Sequence, residues 1–206
     1  MGLNLVQFQD VAKTQEISAQ LHDEVVLVAL DSGVPPPKPW PATKDYKAKF
    51  HSCAVILKND SNALQKARKA FDFVAVRGSS PEMCSWAANS KGVDLLLQPF
   101  SLEKCFLDLQ TANTLRDNGV FVCVLFNEFL AADGFRLSQF MKNAAMCVRL
   151  CGSAGTKMLF AGGAKNEFQM RASRDLASFA VMLGVGKGDA LSASESCAEE
   201  LLGRLK

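Results

Sequence analysis

The sequence predicts a TIM-barrel-like (β/α) barrel of the α/β class, whether regular or irregular, and two observations support this fold. Short apolar runs rich in Val and Leu recur along the chain, and their continuous hydrophobicity is typical of parallel strands buried on both faces. Helical segments separate these runs, and repeated alternation of strand and helix indicates a mainly parallel sheet. The 206 residues are interpreted as one domain, 1–206, with an open doubly wound sheet as the alternative.

Seven runs have the composition of buried strands, and the first of them is the weakest candidate. None of the early runs leads into a G-x-G-x-x-G or Walker loop, which argues against a nucleotide-binding open sheet. The predicted strands are residues 3–8, 24–30, 52–57, 72–78, 94–100, 121–126 and 157–163.

Helix boundaries are predicted from capping signals. Asp60 and Ser80 precede two helices as N-caps, and Ser101 is interpreted in the same way. The apolar stripe of the 134–151 segment predicts a helix that packs one face on the sheet. The predicted helices are residues 61–70, 81–91, 102–117, 134–151 and 174–183, with a last helix that begins at Ser194.

The segment 31–52 breaks the alternation, because five of its residues are Pro. Proline disfavours both helix and sheet, so we predict a long Pro-rich surface loop, partly in polyproline conformation. Trp40 and Tyr46 lie among lysines there, and such interleaving suits single-stranded RNA, whose bases stack on rings while its phosphates meet cations. A loop with one ring packed on the barrel is the alternative.

Basic residues are concentrated in two segments, although the net charge is only +2. Residues 38–69 and residues 134–174 each carry a net charge of +6. The two segments either form one basic face in the fold or simply solvate helix surfaces.

The seven cysteines form no C-x-x-C pair, which predicts free thiols and a reducing cytoplasm. No run of 18 apolar residues occurs, so no membrane partner is expected.

The sequence lacks the residue sets that most catalytic sites need. Asp31, Asp60 and Glu128 follow predicted strands and could ring a barrel mouth. Only two histidines are present, too few for a hydrolytic metal site. A Cys–His arrangement could form only from Cys53 and His51. We therefore predict no catalytic residue, no metal site and no cofactor.

A Gly pair and two arginines follow the last predicted strand. Gly162 and Gly163 either bind a phosphate through backbone N–H groups or form a tight turn. Arg171 and Arg174 lie near the start of the next helix, where cations oppose the helix dipole, whereas Asp175 suits it. The arginines are interpreted as placed for a phosphate, or as one ion pair between Arg171 and Asp175, four residues apart.

Three segments resemble a known family, the archaeal ribonuclease P protein component 3, counterpart of a eukaryotic nuclear RNase P protein. In residues 164–206 an aromatic residue is followed by Met-Arg, by Ser-Arg-Asp-Leu and by an apolar helix, as in the C-terminal region of that family. Upstream, the resemblance rests on "VRGSSPEMCSWAANSKGVDLLLQPF" and "NTLRDNGVFVCVLFNEFL". The similarity covers roughly residues 72–206 and is most specific at 166–184, whereas residues 1–60 fit poorly.

The resemblance implies a TIM-barrel-like protein, related to metal-dependent phosphoesterases but without their metal ligands. It implies a non-catalytic protein subunit of ribonuclease P that helps the catalytic RNA remove 5′ leaders from precursor tRNA. The implied partners are RNase P RNA, precursor tRNA, RNase P protein component 2 and other RNase P proteins. The residues expected to contact RNA or a neighbouring subunit are Arg77, Lys91, Lys165, Arg171, Arg174 and Asp175.

Two other functions remain open from the residues themselves. A free-standing TIM-barrel enzyme acting on a phosphorylated small molecule would hold the phosphate with Gly162, Gly163 and Lys165. It would also carry a ligand-sized pocket with convergent acids. A protein-only scaffold would bind RNA no differently after loss of its arginines.

Overall fold

The computed structural model describes residues 3–7, 11–21, 25–31 and 49–205. In this part of the chain, seven parallel strands form one sheet in sequence order. Each strand pairs with the next along the chain. The strands are β1 Leu3–Val6, β2 Val25–Asp31, β3 Lys49–Ile56, β4 Phe73–Arg77, β5 Leu95–Leu97, β6 Phe121–Leu125 and β7 Met158–Ala161.

The sheet closes between its first and last strands. Val6 forms a parallel bridge with Ala164, and the N–H of Gln7 donates to the carbonyl of Ala164 at 2.7 Å. The closure is narrow, because it joins the last residue of β1 and Gln7 to Ala164, three residues after β7, without a longer ladder among the described residues. The prediction of a TIM-barrel-like fold is confirmed, and all seven predicted strands are present.

Most strand residues are buried on both faces of the sheet, which explains the continuous apolar runs in the sequence. Side chains of one face fill the barrel interior, among them Leu5, Leu27 and Phe121. Side chains of the other face, such as Val26 and Val122, pack against the surrounding helices. The alternation between these two cores follows from the period of two residues in a strand.

In the described residues, helices follow β1 and each strand from β3 to β7. A single 3₁₀ turn, Glu167–Gln169, lies between β7 and the helix that follows it. The α-helices are α1 Val11–Leu21, α2 Ser61–Ala70, α3 Pro81–Asn89, α4 Leu109–Asp117, α5 Asn127–Leu130, α6 Gly134–Ala154, α7 Ser173–Met182 and α8 Lys187–Leu202.

Helix α8 covers the end of the barrel where the strands begin. Ala198 and Leu201 are fully buried and belong to the interior core. The guanidinium of Arg204 lies 4.6 Å from the ring centroid of Phe121, the first residue of β6. The barrel interior is therefore closed to solvent at this end.

The predicted helix 102–117 is wrong in its first half. The helix begins at Leu109, because Asp108 is the N-cap and accepts from the N–H of Thr111 at 2.7 Å. Ser101 instead closes a turn, with its hydroxyl accepting from the N–H of Glu103 at 3.1 Å. Residues 100 and 105 then pair as an antiparallel bridge, which a helix would not allow.

Two other boundaries differ from the prediction. The last helix begins at Lys187 and not at Ser194, after Gly186 at its N-cap. Strand β3 begins at Lys49, so residues 49–52 of the predicted Pro-rich loop are strand, in register with β2 from Val25 onward. None of these four residues is Pro, so their N–H groups are available to the ladder. Asp31 likewise belongs to β2. The rest of that loop, with Trp40 and Tyr46, lies outside the described residues.

Replacing Gly152 with Ala is expected to raise the free energy of unfolding by about 0.5–1 kcal/mol, because glycine costs a helix interior that much. Gly152 is an exposed residue of α6, and an added Cβ would find no atom within 4 Å. Denaturant titration would measure the change. Gly155→Ala is the matched control and should destabilise, because Gly155 has a φ of +72°. A loss of stability in Gly152→Ala would contradict the argument.

No described helix has both the length and the apolar character needed to cross a membrane.

Candidate functional site

The carboxyl ends of the strands surround a cavity, which we call the barrel mouth. Its volume is about 430 Å³. Apolar residues such as Val55 and Leu57 line one part of it, and Gln7 and charged residues line the rest. A (β/α) barrel carries its site at this end, because the loops after the strands converge there.

An ion pair crosses the barrel mouth. Arg77, the last residue of β4, places Nη1 2.5 Å from Oε1 of Glu128, and both side chains are about one quarter exposed. Lys165 also lines the mouth and is exposed. Lys165 has no carboxylate partner among the described residues. Glu128 therefore offsets one of the two cations, and the lysine carries the uncompensated charge.

Gln98 adds a strained polar residue where β5 ends. Its φ is +48°, and it is the one described residue other than glycine with a positive φ. Its buried side-chain oxygen accepts from the N–H of Leu125 at 2.7 Å. Its side-chain N–H₂ group has no partner among the described protein atoms. The left-handed backbone costs about 1–2 kcal/mol, and the hydrogen bond to β6 helps to offset it.

The Gly162–Gly163 pair serves barrel closure. The N–H of Gly162 donates to Oδ1 of the buried Asn4 at 3.0 Å, so it is not free for a phosphate. A Cβ at Gly163 would lie 2.5 Å from Oδ1 of Asn127, and the φ of Gly163 is +64°. Of the two alternatives left open by the sequence, the close turn fits this geometry. Nothing in the sequence predicted that Asn4 and Asn127 contact this turn.

Residues 164–172 connect β7 to α7, and we call them the β7–α7 segment. Arg171 fixes this segment from within: its Nη1 donates to the carbonyls of Phe168 at 2.9 Å and Met170 at 2.7 Å. Its guanidinium lies 5.6 Å from the ring centroid of Phe126. Asn4 Nδ2 donates to the carbonyl of Arg171 at 3.0 Å. Arg171 is thus a positioning residue, and its contact with RNA or a subunit stays a prediction.

The alternative ion pair between Arg171 and Asp175 does not form within the described part of the chain. Arg174 and Asp175 are both exposed in the first turn of α7. Asp175 suits the positive end of the helix dipole, whereas Arg174 opposes it. Arg174 therefore remains a cation whose position local helix energetics do not explain.

Lys91 lies at the opposite end of the barrel from the mouth. It follows α3 and precedes β5, whereas Arg77 and Lys165 follow strands. The structure therefore brings Arg77 and Lys165 to one mouth, places Arg174 and Asp175 just after the β7–α7 segment, and separates Lys91 from all of them.

The predicted acids of the mouth are largely engaged. Asp60 caps α2 by accepting from the N–H groups of Asn62 at 2.8 Å and Ala63 at 3.0 Å. Glu128 pairs with Arg77, and the side chain of Asp31 lies outside the described residues. Among the described His, Cys, Asp and Glu, no group of three or more is arranged to hold a metal ion.

His51 and Cys53 do not form an activated pair. Both belong to the barrel-facing side of β3, since they are two residues apart. Burial raises the pKa of the Cys53 thiol well above its ordinary value and lowers the pKa of His51. Both groups are therefore neutral at physiological pH, and a thiolate nucleophile is not available.

Known proteins of one family resemble this chain in sequence. A family model described as RNase P subunit p30 matches residues 6–205. Ribonuclease P protein component 3 of Methanosarcina barkeri (strain Fusaro / DSM 804) is 22% identical over 167 residues, 80% of this chain and 70% of that protein. The corresponding protein of Methanococcoides burtonii is 23% identical over 147 residues, 70% of this chain and 61% of that protein.

A chain in the cryo-EM structure of archaeal ribonuclease P with mature tRNA has a similar fold. The TM-score is 0.82 at 16% sequence identity, and the match covers 98% of this chain and 90% of that one. Because the family model spans nearly all of the sequence, this chain belongs to the RNase P subunit p30 family.

Proposed function

We propose that this protein subunit of ribonuclease P assists the catalytic RNA in removing 5′ leaders from precursor tRNA and has no active site of its own. The observation that carries the proposal is the family match over residues 6–205. In this proposal the RNA breaks the phosphodiester bond, and the protein contributes positive charge and a folded surface. The engaged acids and the protonated Cys53 are consistent with that division of labour.

The RNA-contacting surface of the proposal centres on the carboxyl end of the barrel. Lys165 and Arg174 are exposed cations without a carboxylate partner in the described region. Each phosphate contact releases condensed counterions, so binding should weaken steeply with salt. Arg77 is paired with Glu128 and is proposed as a weaker contact. Lys91, at the other end, would have to meet a separate RNA or protein element.

A protein partner is also proposed. The relatives are named as component 3 of a multi-component enzyme, which supports assembly with other RNase P proteins. We propose protein component 2 as the direct neighbour. Asp175, an exposed acid beside the exposed Arg174, suits a polar protein interface better than a phosphate contact.

Reconstitution tests the proposal. The chain is combined with an archaeal RNase P RNA and its other proteins, and precursor-tRNA cleavage is followed. Omitting the chain should lower the cleavage rate. Arg171→Ala should lower it about tenfold, a loss equal to about 1.4 kcal/mol, because the β7–α7 segment loses its internal anchor.

Arg171→Lys is the informative companion variant. It keeps the charge but loses the planar guanidinium that bonds two carbonyls and stacks on Phe126, so it should behave like Arg171→Ala. Unchanged cleavage on omission would refute the subunit role. Hydrolysis of precursor tRNA by the purified chain without RNA would refute the absence of an active site.

The described residues give no support to the free-standing enzyme. Its phosphate-binding loop would need the N–H of Gly162, which Asn4 already occupies.

A further inference from the structure

Phe168 is an exposed aromatic ring at the centre of the β7–α7 segment. Its side chain is 83% exposed. Among the described residues it is the most exposed large hydrophobic side chain, ahead of Phe135 at 77% and Met182 at 72%. Single exposed apolar side chains are ordinary on protein surfaces, so the residues around the ring must decide whether it binds a ligand.

The backbone beneath this ring is held by contacts on several sides. The carbonyl of Phe168 accepts from Arg171 Nη1 at 2.9 Å. The N–H of Lys165 donates to Oε1 of Gln169 at 2.9 Å, and Met170 is buried. Lys13 of α1 pairs with Glu167 at 3.2 Å. A ring presented on a fixed backbone loses little conformational entropy when it binds a ligand.

The exposed charged residues that flank the ring in the sequence are mainly cationic. Lys165 precedes it by three residues and Arg174 follows it by six, and both are exposed. The nearest acid, Glu167, already has Lys13 as a counter-ion. A protein interface would use a contiguous apolar patch at its core. One ring between cations is instead the arrangement that binds single-stranded nucleic acid, by base stacking and phosphate contacts.

We propose that Phe168 stacks on an unpaired base of RNA, while Lys165 and Arg174 contact phosphates of the same strand. This inference rests on the proposed function, which supplies RNA as the ligand, and it names the residue that distinguishes an unpaired strand from a duplex. Arg171 acts in it as a positioning residue, since it fixes the backbone that presents the ring.

Fluorescence anisotropy with two probes tests the proposal on the full chain. One probe is a labelled single-stranded RNA of about 12 nucleotides, and the other is an abasic strand with the same number of phosphates. Phe168→Ala should raise the Kd for the base-containing strand about tenfold and leave the Kd for the abasic strand unchanged. Phe168→Trp should retain wild-type affinity, because the larger ring also stacks.

Two sets of controls complete the test. Met182→Ala truncates another exposed apolar side chain, 72% exposed at the far end of α7, and should change neither Kd. Lys165→Ala and Arg174→Ala should raise the Kd for both probes by a similar factor, because the two native side chains contact phosphates, which both probes carry.

The outcomes separate the two proposals. If the wild-type chain binds RNA and Phe168→Ala binds each probe with the wild-type Kd, stacking is refuted while the RNA-binding role stands. If Phe168→Ala loses capture of protein component 2 and keeps RNA affinity, the ring is a protein contact and stacking is again refuted. If the wild-type chain binds neither probe, the proposed RNA-binding role fails as well.

Discussion

Gly163→Ala is expected to lower the free energy of unfolding by about 3 kcal/mol. Two costs add at this position. The φ of +64° costs a residue with a Cβ about 1–2 kcal/mol. The new methyl group would also meet Oδ1 of Asn127 at 2.5 Å and Cβ of Leu125 at 3.0 Å, and overpacking of this kind costs about 1–3 kcal/mol. Denaturant titration followed by far-UV circular dichroism would measure the loss.

Gly134→Ala is the matched control for this prediction. Gly134 also has a positive φ, +47°, but an added Cβ there would find no atom within 4 Å. Gly134→Ala should therefore lower the free energy of unfolding by the conformational cost alone, about 1–2 kcal/mol. Equal losses in the two variants would show that the packing around Gly163 relaxes without cost, contrary to the prediction.

Arg68→Ala is expected to destabilise the fold by about 2 kcal/mol at neutral pH. Asp94 is almost fully buried and accepts from Arg68 Nη1 at 2.7 Å and from the N–H of Val74 at 2.9 Å. Removing the arginine leaves a buried carboxylate with one donor. The arginine side chain is itself 41% exposed, so the loss is smaller than for a pair buried on both sides.

The loss in Arg68→Ala should shrink as the pH falls. Burial already raises the pKa of Asp94 above its ordinary value, and the bonds to Val74 and Arg68 oppose the rise only in part. Without Arg68 this pKa rises further. The folded variant then takes up a proton before the unfolded chain does, and the neutral carboxyl needs no counter-ion.

Unfolding measured at pH 7 and at about pH 5 tests this sign. Lys69→Ala, at an exposed neighbouring position of α2, should change stability by less than about 0.5 kcal/mol at both pH values. A loss in Arg68→Ala that grows toward acid pH would contradict the argument.

The strands could be predicted from the sequence because burial on both faces makes each strand a continuous run of apolar residues. The start of α4 could not. Ser101 and Asp108 are both good N-cap residues, so local preference does not choose between them. The choice comes from α6, where Asn143 Nδ2 donates to the carbonyl of Ser101 at 2.9 Å and of Leu102 at 3.1 Å. These contacts keep the segment out of a helix and span about forty residues of sequence.

The candidate site shows the same limit. Cations after strands were visible in the sequence, and the family motif pointed to Arg171. The direction of its guanidinium could not be predicted, because the two carbonyls to which it donates are brought into reach only when the 3₁₀ turn forms. Phe168 could not be identified from the sequence for a different reason. A single apolar residue between polar ones has the same pattern as an ordinary core residue, and only the structure shows that it is exposed.

The position of α8 bears on how the protein is made. Its residues come after all seven strands in the chain, yet Ala198 and Leu201 complete the packing inside the barrel. A nascent chain that has exposed every strand outside the ribosome still has an unsealed apolar core. During that interval the protein would be a client for chaperones, and its cooperative stability would appear only when the closing helix docks.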